Sequence, residues 1–491
     1  MRKKYVLLWT LLFLVQFSLF SQDGTLDPSF GNGNGYVITN FGSPEDMSYA
    51  TLEQTDGKIV AFGFSDYGRE QSLSRYLPDG SIDNSFGTDG KVTNDFNNEG
   101  NFIFYAFINQ QSDGKLLTGA TNRLPGGTQD FILARYLTNG DLDTTFGNNG
   151  TVMTHYGEDV LSATALLPDG KILASGWSRV GDSRYVLLTK YLANGDLDTS
   201  FGVDGIVATF IHESTTIVFP FVVQDDGKIL VSFRGASGFL TFHRYLANGM
   251  LDPTFGTNGV VVANIASGLL YGSIAMKENG NIVAAMRLGN SSVILTQFLS
   301  DGSMDTSFGT NGITNVNVDY DVPVDVLLDQ DENILISGNN FGFEIGDYFL
   351  TRYDTNGILD ITFGANGTTQ MGFESHGITL QSDGKILVAG GTYWFSGPVN
   401  FVIVRFRNGN LGTPDSEQLN FTVYPNPSQD IFTIRSGAFL DSVSYRISDA
   451  SGKIIMTGNL EGSETKLDLS EVSNGLYFVE VSNRTLKLLK N

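Results

Sequence analysis

The side chains that could carry out chemistry in this chain are few in kind. The four histidines, His155, His212, His243 and His376, lie far apart, and no two of them have the spacing of metal ligands. The sequence contains no Gly-x-Ser-x-Gly, no His-Glu-x-x-His, no phosphate-binding glycine loop and no cysteine. The 53 acidic residues leave open a pair of carboxylates for glycoside hydrolysis. The sequence therefore predicts no particular catalytic residue, no cofactor and no thiolate chemistry.

The most prominent acidic residues belong to a phrase, Leu/Ile/Met-Asp-x-x-Phe-Gly, that occurs seven times. Calcium is one interpretation, but each copy offers few of the roughly six to eight oxygens that Ca²⁺ takes. We expect a structural role instead, with Asp in an Asx turn, Phe as an apolar plug and Gly at positive φ. A catalytic residue is needed once, so seven copies favour a scaffold. The copies begin at Leu26, Ile82, Leu142, Leu197, Leu251, Met304 and Leu359.

Two further anchors repeat with this phrase and predict the fold. One is a hairpin signal such as Asp56-Gly57-Lys58-Ile59, and the other is a basic residue before an aromatic, as in Arg75-Tyr76. Four strands per period in seven periods predict an all-β chain with a seven-bladed β-propeller over residues 22–411, with an open β-solenoid as the alternative. The strands of the first period are predicted near Tyr36 to Phe41, Tyr49 to Gln54, Lys58 to Phe64 and Ser72 to Leu77.

The two ends of the repeat region predict that it closes into a ring. After Arg405-Phe406 a new copy of the phrase begins, but it stops before any Asp-x-x-Phe-Gly. The N-terminal segment supplies the missing part, Leu26 to Gly31. We therefore expect this segment to dock beside Phe401 to Phe406.

Ligand binding is expected where the repeats differ. The loop predicted between the third and fourth strands varies most, and it contains both tryptophans outside the N-terminal segment, Trp177 and Trp394. Aromatic rings at one rim can stack on sugar rings or peptide side chains. Trp177, Tyr393 and Trp394 are therefore the candidate ligand-binding residues, and the alternative is that they cover the edge of a sheet.

Residues 1–21 are predicted to be a secretory signal peptide. Arg2, Lys3 and Lys4 precede the apolar stretch Tyr5 to Phe20, and Ser21 is a small residue suited to cleavage. A membrane anchor is the alternative. No later run has transmembrane length, and the net charge of −23 disfavours nucleic acids and anionic membranes as partners.

The pattern changes after a polar linker, residues 412–419. About seven short strands with alternating polarity predict a small Ig-like β-sandwich over residues 420–491. Three features mark this region: the Asp449 to Lys453 turn, a basic C-terminal tail, and a set of motif residues. The motif residues are Tyr424, Pro425, Asn426, Pro427, Gly475 and Tyr477.

With these motifs, residues 420–491 resemble the type A (Por) C-terminal sorting domain of the type IX secretion system of Bacteroidota. The resemblance implies that the type IX machinery is a partner and that the protein is secreted or displayed on the outer cell surface. An ordinary adhesion module of the same shape is the alternative.

The repeats at residues 23–411 resemble the delta-60 repeat family, which implies a propeller-like domain without an established activity. Two functions follow as hypotheses. One is a binding scaffold for glycan or protein, and the other is a propeller hydrolase or lyase acting on polysaccharide. The second predicts acidic, His or Tyr side chains with shifted pKa values at the mouth of the channel.

Overall fold

The computed structural model describes most of the chain after residue 22. The described ranges are 23–96, 106–212, 218–235, 238–263, 265, 268–289, 292–316, 321–340, 348–392, 398–409, 421–449, 453–481 and 484–491. The predicted signal peptide lies outside them, and so do Tyr393 and Trp394. The chain divides into two compact units, residues 1–410 and 411–491. None of the described residues forms a helix long and apolar enough to cross a membrane.

The first unit consists of antiparallel sheets of four strands each, and the described residues form seven of them. The first strand of the chain, β1 (Tyr36–Thr39), belongs to the last sheet. The next twelve strands form sheets 1 to 3, and within each sheet they lie side by side in chain order. They are, in sheet 1, β2 (Met47–Glu53), β3 (Ile59–Ser65), β4 (Glu70–Tyr76) and β5 (Lys91–Asp95); in sheet 2, β6 (Ala106–Gln110), β7 (Leu116–Arg123), β8 (Gln129–Tyr136) and β9 (Thr151–Thr154); and in sheet 3, β10 (Glu158–Leu166), β11 (Ile172–Val180), β12 (Ser183–Tyr191) and β13 (Ile206–His212).

Sheets 4 to 6 follow the same order, and sheet 7 takes its fourth strand from the start of the chain. Their strands are, in sheet 4, β14 (Val222–Val223), β15 (Ile229–Arg234), β16 (Leu240–Tyr245) and β17 (Val260–Ala263); in sheet 5, β18 (Leu269–Met276), β19 (Ile282–Leu288), β20 (Ser292–Phe298) and β21 (Ile313–Val316); in sheet 6, β22 (Asp321–Leu328), β23 (Ile334–Asn340), β24 (Tyr348–Tyr353) and β25 (Thr368–Met371); and in sheet 7, β26 (Glu374–Leu380), β27 (Ile386–Gly391), β28 (Phe401–Phe406) and β1.

The all-β class is confirmed, and the predicted docking of the N-terminal segment is also confirmed. β1 pairs with β28 so that Tyr36 lies opposite Val404, and Leu26 forms an isolated bridge with Phe406. The Asp27 amide donates to the Arg405 carbonyl at 2.9 Å. Each sheet thus takes three strands from one sequence period and its fourth strand from the next period. The last sheet takes its fourth strand, β1, from the start of the unit.

Buried apolar side chains pack the sheets face to face around this ring. One cluster of buried side chains lies between each pair of successive sheets, including sheets 7 and 1. In β3, Val60 and Phe62 face sheet 2, whereas Ile59 and Ala61 face sheet 7. A strand buried on both faces has a nearly continuous apolar run, which explains runs such as Ile59-Val60-Ala61 and Ile229-Leu230-Val231 after the turns between first and second strands.

The first strands of neighbouring sheets contact one another, which places them at the middle of the ring. At one end of the sheets, which we call the connector end, lie the turns between first and second strands and the repeated phrases. At the other end, the loop end, lie the turns between second and third strands and the links from each sheet to the next.

The second unit is a single five-stranded sheet in the described residues. It packs on a core that includes Phe432, Ile447, Val479 and Leu488. The central strand, β30, has several register shifts, so the sequence read it as several short strands. The two-sheet Ig-like arrangement stays a prediction. The strands are β29 (Phe421–Tyr424), β30 (Ile431–Asp449), β31 (Ile454–Asp468), β32 (Gly475–Val481) and β33 (Arg484–Lys490).

We predict that Arg405→Ala lowers the free energy of unfolding by roughly 3–5 kcal/mol, because it removes the cation that bonds the buried Asp27 carboxylate and leaves Lys385 and Arg407 only at 4.0 Å. Arg405 is 5% exposed, and its Nε donates to Asp27 Oδ2 at 2.7 Å. Arg75→Ala is the matched variant inside the chain, since Arg75 makes the same bond to Asp83 at 2.8 Å. Urea unfolding followed by fluorescence measures both.

Arg69→Ala is the control, because Arg69 lies 3.5 Å from Asp66 in an exposed pair and should change stability by at most about 1 kcal/mol. Suppose that Arg405→Ala lowers the free energy of unfolding no more than Arg69→Ala does, while Arg75→Ala lowers it by roughly 3–5 kcal/mol. That result would show that the closing contact does not stabilise the ring.

Candidate functional site

The repeated phrase forms a connector whose three named residues have structural roles. In the second copy, Asp83 Oδ1 accepts the Ser85 amide at 3.1 Å and the Ser85 hydroxyl at 2.6 Å. Asp83 Oδ2 accepts Arg75 Nε, and the guanidinium lies 4.5 Å from the centroid of the Phe86 ring. Gly87 has a φ of 52°. The Asx turn recurs in every copy, and its Asp residues are Asp27, Asp83, Asp143, Asp198, Asp252, Asp305 and Asp360.

Each connector also bonds the connector that follows it. Arg75 Nη1 donates to the Thr138 carbonyl at 2.6 Å, and the Gly87 amide donates to the Asn139 carbonyl at 2.8 Å. The seventh connector makes the same amide contact across the chain ends, from Gly364 to the Asp23 carbonyl at 2.7 Å. The expected roles of Asp, Phe and Gly are confirmed, and the connectors form a closed series of hydrogen bonds.

The connector carboxylates are held ionised by protein groups. The hydrogen bond from the Ser200 hydroxyl lowers the pKa of Asp198 to about 2. Lys171 Nζ lies 3.0 Å from the same carboxylate. Protein donors thus already surround these oxygens. Calcium at the connectors stays the alternative interpretation.

Trp177 lies in a strand, which corrects the loop predicted for it. It belongs to β11, where it is opposite Val186, and the predicted loop up to Arg184 is a tight hairpin between β11 and β12. The ring is half-buried and packs on the cluster between sheets 3 and 4. The Arg184 guanidinium lies 4.9 Å from its centroid. Trp177 therefore packs between sheets, while Tyr393 and Trp394 lie outside the described residues.

The first three sheets differ from one another at the loop end of the third and fourth strands. In sheet 1, Glu70 lies opposite Asp95. At the same two positions sheet 2 has Asp130, which binds His155, and sheet 3 has Tyr185 opposite Phe210. The same pair of positions thus holds two acids in sheet 1, an acid and a histidine in sheet 2, and two aromatic residues in sheet 3.

The histidine of sheet 2 and two buried carboxylates form a polar cluster. His155 Nδ1 and Asp130 Oδ1 are 2.7 Å apart, and this contact raises the pKa of His155. Asp159 joins them with ligand-type atoms within 4.8 Å, and burial raises its pKa. These three side chains could hold a metal ion, and no other such group is found in the described ranges.

A second group of side chains lies on the first strands of sheets 1 and 7. Both strands carry a β-bulge that recurs at the same register in β10 and β22, and in sheets 1 and 7 the extra residues are Tyr49 and His376. Bulges re-aim side chains and are frequent at functional sites. The Tyr49 and His376 rings stack with centroids 4.5 Å apart and planes inclined by 24°.

Two carboxyl groups complete this group, which we call the Tyr49–His376 cluster. Burial, with the nearby Glu45 carboxyl, raises the pKa of Glu374 to about 7. Glu374 Oε2 lies 3.7 Å from His376 Nε2, and burial lowers the pKa of that histidine to about 4. Glu374 is thus the group of this cluster that can gain or lose a proton near neutral pH.

Asp325 is a further carboxyl at the middle of the ring. Its oxygens accept the Ser273 hydroxyl at 3.2 Å, the Val326 amide at 2.9 Å and the Ile378 amide at 3.4 Å. Burial raises its pKa to about 6. At the same register, five other sheets have residues without a charge. They are Ala50, Phe107, Ala163, Ser273 and Gly377.

In the second unit, Asn426 of the predicted sorting motif binds the last strand. Asn426 Nδ2 donates to the Lys487 carbonyl at 2.6 Å, and its Oδ1 accepts the Leu489 amide at 2.9 Å. The Ser428 amide donates to the Leu489 carbonyl at 3.1 Å. This segment therefore satisfies polar groups of β33 that do not pair with β32.

The other motif residues hold neighbouring segments. The Tyr424 hydroxyl donates to Glu464 at 2.8 Å, and the bonds that precede Pro425 and Pro427 are cis. Gly475 begins β32. Tyr477 is buried, and its hydroxyl donates to the Ser473 carbonyl at 2.5 Å. The motif thus supports the end of the sheet that carries the C-terminal strand.

Models of two families match the chain. A model described as domain of unknown function (DUF5122) β-propeller matches residues 54–86, 111–146, 167–201 and 381–416. A model described as secretion system C-terminal sorting domain matches residues 422–491. The chain carries DUF5122 β-propeller repeats and a type IX C-terminal sorting domain. Both resemblances noted in the sequence are confirmed, since the delta-60 repeats are consistent with DUF5122.

Solved structures also resemble the chain, whereas no curated protein matches it. The polysaccharide lyase Uly1 is 12% identical with a TM-score of 0.42, and the match covers 77% of this chain and 93% of that one. BBS1N, from a complex with ARL6DN, is 11% identical with a TM-score of 0.41 and coverages of 75% and 96%. A PL25 ulvan lyase is 10% identical with a TM-score of 0.32 and coverages of 74% and 93%.

The sequence did not identify the most distinctive propeller residues. Tyr185 follows directly after the predicted loop that ended at Arg184. Tyr49 and His376 acquire their setting from bulges, which leave no clear mark in a single sequence. A pH-sensitive carboxyl such as Asp325 could have been suspected only from an alignment of the periods that included strand register.

We predict that Glu374→Gln stabilises the propeller at neutral pH and has no effect near pH 4. The pKa of Glu374 is raised from an ordinary value of 4.5 to about 7, so the folded protein favours the protonated carboxyl. The stability that this preference gives is present at low pH and is lost as the pH rises to about 7. The variant does not lose this stability, so its free energy of unfolding should exceed that of the parent protein by up to about 3 kcal/mol at pH 8.

Chemical unfolding at several pH values measures this difference. Glu278→Gln is the control, because its carboxyl is exposed at the connector end. An identical pH dependence of the two variants relative to the parent protein would contradict the raised pKa of Glu374.

Proposed function

We propose that this β-propeller is an exported binding module that engages glycan or protein at its loop end. The observation that carries the proposal is the contrast between the two ends of the sheets. The connector end repeats the same bonded residues, whereas one pair of loop-end positions changes from Glu70 and Asp95 to Tyr185 and Phe210. A repeated scaffold with one variable end is the arrangement by which loops acquire specificity on a rigid fold.

Exposed aromatic rings at that end support a binding role. Phe210 is 55% exposed and Tyr156 is 40% exposed. Water-exposed rings that lie side by side mark surfaces that gain from being covered by a partner. Sugar rings and peptide side chains both present faces that can stack on them.

The sorting domain indicates export to the cell surface or secretion. We infer that residues 422–491 direct this export by contacting the type IX machinery, and that residues 1–21 direct the preceding step across the inner membrane. The sorting match and the placement of Asn426 against the last strand support the first inference.

A second candidate function is a hydrolase or lyase acting on polysaccharide, and the Tyr49–His376 cluster favours it. A carboxyl with a pKa near 7 can donate or accept a proton at neutral pH, as general acid–base catalysis requires. The cluster lies on two bulged strands at the middle of the ring. These features match what the enzyme hypothesis expects of its site.

A glycan array probed with the purified exported protein tests the first proposal, and the same glycans are then assayed for cleavage products. We expect binding to one class of glycan without cleavage. Cleavage that is lost in Glu374→Gln would assign the second function instead. A protein that neither binds nor cleaves any glycan, and binds no surface protein of the host cell in cross-linking, would contradict both functions.

We predict that deleting residues 422–491 retains the protein in the periplasm of a Bacteroidota host with type IX secretion. Fractionation and immunoblotting should show at least a roughly tenfold loss from the surface and medium. Tyr67→Ala, an exposed change at the loop end of sheet 1, should leave export unchanged. Normal delivery of the truncated protein would contradict the role of this domain.

A further inference from the structure

One row of side chains crosses all four strands of sheet 3 at its loop end. Asp159 lies opposite Ser178, which lies opposite Tyr185, and Tyr185 lies opposite Phe210. The row faces sheet 2, because Asp159 lies in the cluster with the sheet 2 residue Asp130. Its outer half consists of two aromatic residues, and its inner half consists of an aspartate and a serine.

Three rings form a continuous surface at the outer half of this row. The centroids of Tyr185 and Phe210 are 5.9 Å apart, and those of Tyr156 and Tyr185 are 6.0 Å apart. Both pairs have an edge-to-face arrangement, with planes inclined by 72° and 74°. Phe210 and Tyr156 are exposed, and Tyr185 between them is half-buried. Part of the apolar surface of these rings therefore stays in contact with water instead of packing into the buried cluster between sheets 2 and 3.

The corresponding surface of sheet 1 has a different composition. There the pair of positions holds Glu70 and Asp95. The aromatic residue of the preceding link, Phe41, packs on Phe401 with centroids 4.6 Å apart. An exposed row of rings is therefore no requirement of the repeat, and sheet 3 has it as a feature of its own.

The backbone holds these rings in place before any ligand arrives. Both oxygens of the buried Asp159 are used to fix the link that carries Tyr156, since Oδ2 accepts the Tyr156 amide at 2.6 Å and Oδ1 accepts the Gly157 amide at 3.0 Å. Tyr185 and Phe210 are fixed by the ladder between β12 and β13. Surfaces that are ordered in advance lose less entropy on binding.

The charges around the rings disfavour an anionic ligand. Asp130 and Asp159 lie at the inner end of the row, and the chain as a whole has a net charge of −23. Neighbouring basic side chains already have partners: Arg179 bonds Glu158, Arg184 lies over the Trp177 ring, and His155 contacts Asp130. Carboxylates repel uronate and sulfate groups because the charges have the same sign.

We propose that Tyr156, Tyr185 and Phe210 form a stacking platform for a neutral polysaccharide. Its sugar rings have apolar C–H faces that stack on the aromatic rings. This inference rests on the proposed binding function and names its surface and its ligand class.

Native affinity electrophoresis of the full exported protein tests the platform. The gels contain hydroxyethylcellulose or galactomannan as neutral probes and alginate as the anionic probe. We expect retardation by at least one neutral polymer and none by alginate. The double variant Tyr185→Ala/Phe210→Ala should weaken binding by about tenfold or more.

Two controls separate stacking from folding. Tyr185→Phe/Phe210→Tyr keeps both rings and should bind like the parent protein, while Tyr67→Ala removes an exposed ring from the loop end of sheet 1 and should also bind normally. Near-ultraviolet circular dichroism and the Tm check that each variant is folded.

Neutral-polymer binding that survives the double alanine variant would overturn the platform and leave the proposed binding function standing. Binding to alginate alone would overturn the ligand class. Absence of retardation in the neutral gels, with a positive glycan array or protein cross-link, would overturn the platform alone. Failure of all three assays would contradict the binding function as well.

Discussion

The pair of an arginine and an aspartate, present at five of the seven connectors, is the interaction on which the ring depends. A buried carboxylate is costly unless a cation and hydrogen bonds compensate it. In the second connector Asp83 has both, because Arg75 and Ser85 bond it and Phe86 covers the guanidinium. The same arginine reaches the carbonyl of the next connector, so each local turn is joined to its neighbour. The seventh contact joins the two ends of the unit and turns a row of repeats into a closed ring.

The departures from this pattern show what it requires. The connector that begins at Met304 has Gln297 in place of the basic residue, and the Gln297 amide keeps the bond to Asp305 at 2.7 Å. Gln297 does not make the contact with the next connector. Lys277, from the turn between the first and second strands, makes it instead and donates to the Thr355 carbonyl at 2.6 Å. A cation that bonds the next connector is thus kept even when the residue that supplies it changes.

The sequence alone predicted the structural features that repeat in every period, but it did not predict those that occur only once. Seven phrases, the Asp-Gly turns and the incomplete last copy predicted the four strands per period and the docking of Leu26 to Gly31 beside β28. They did not reveal that each sheet takes its fourth strand from the next period. Trp177 was placed in a loop because strand ends are hard to fix near a tight hairpin, and the structure puts it in β11. The setting of Tyr49 and His376 depends on bulges and on contacts between distant strands, which no local pattern encodes.

The structure makes the N-terminal segment an integral part of the ring, bonded like the internal connectors that contain an arginine. Amide hydrogen exchange followed by mass spectrometry tests it directly on the exported protein. Peptides covering Leu26 to Gly31 and Phe401 to Phe406 should exchange as slowly as those covering Ile82 to Gly87 and Phe131 to Tyr136, because all are released only when the ring opens. Rapid exchange of the Leu26 to Gly31 peptide, with full protection of the internal connectors, would contradict it.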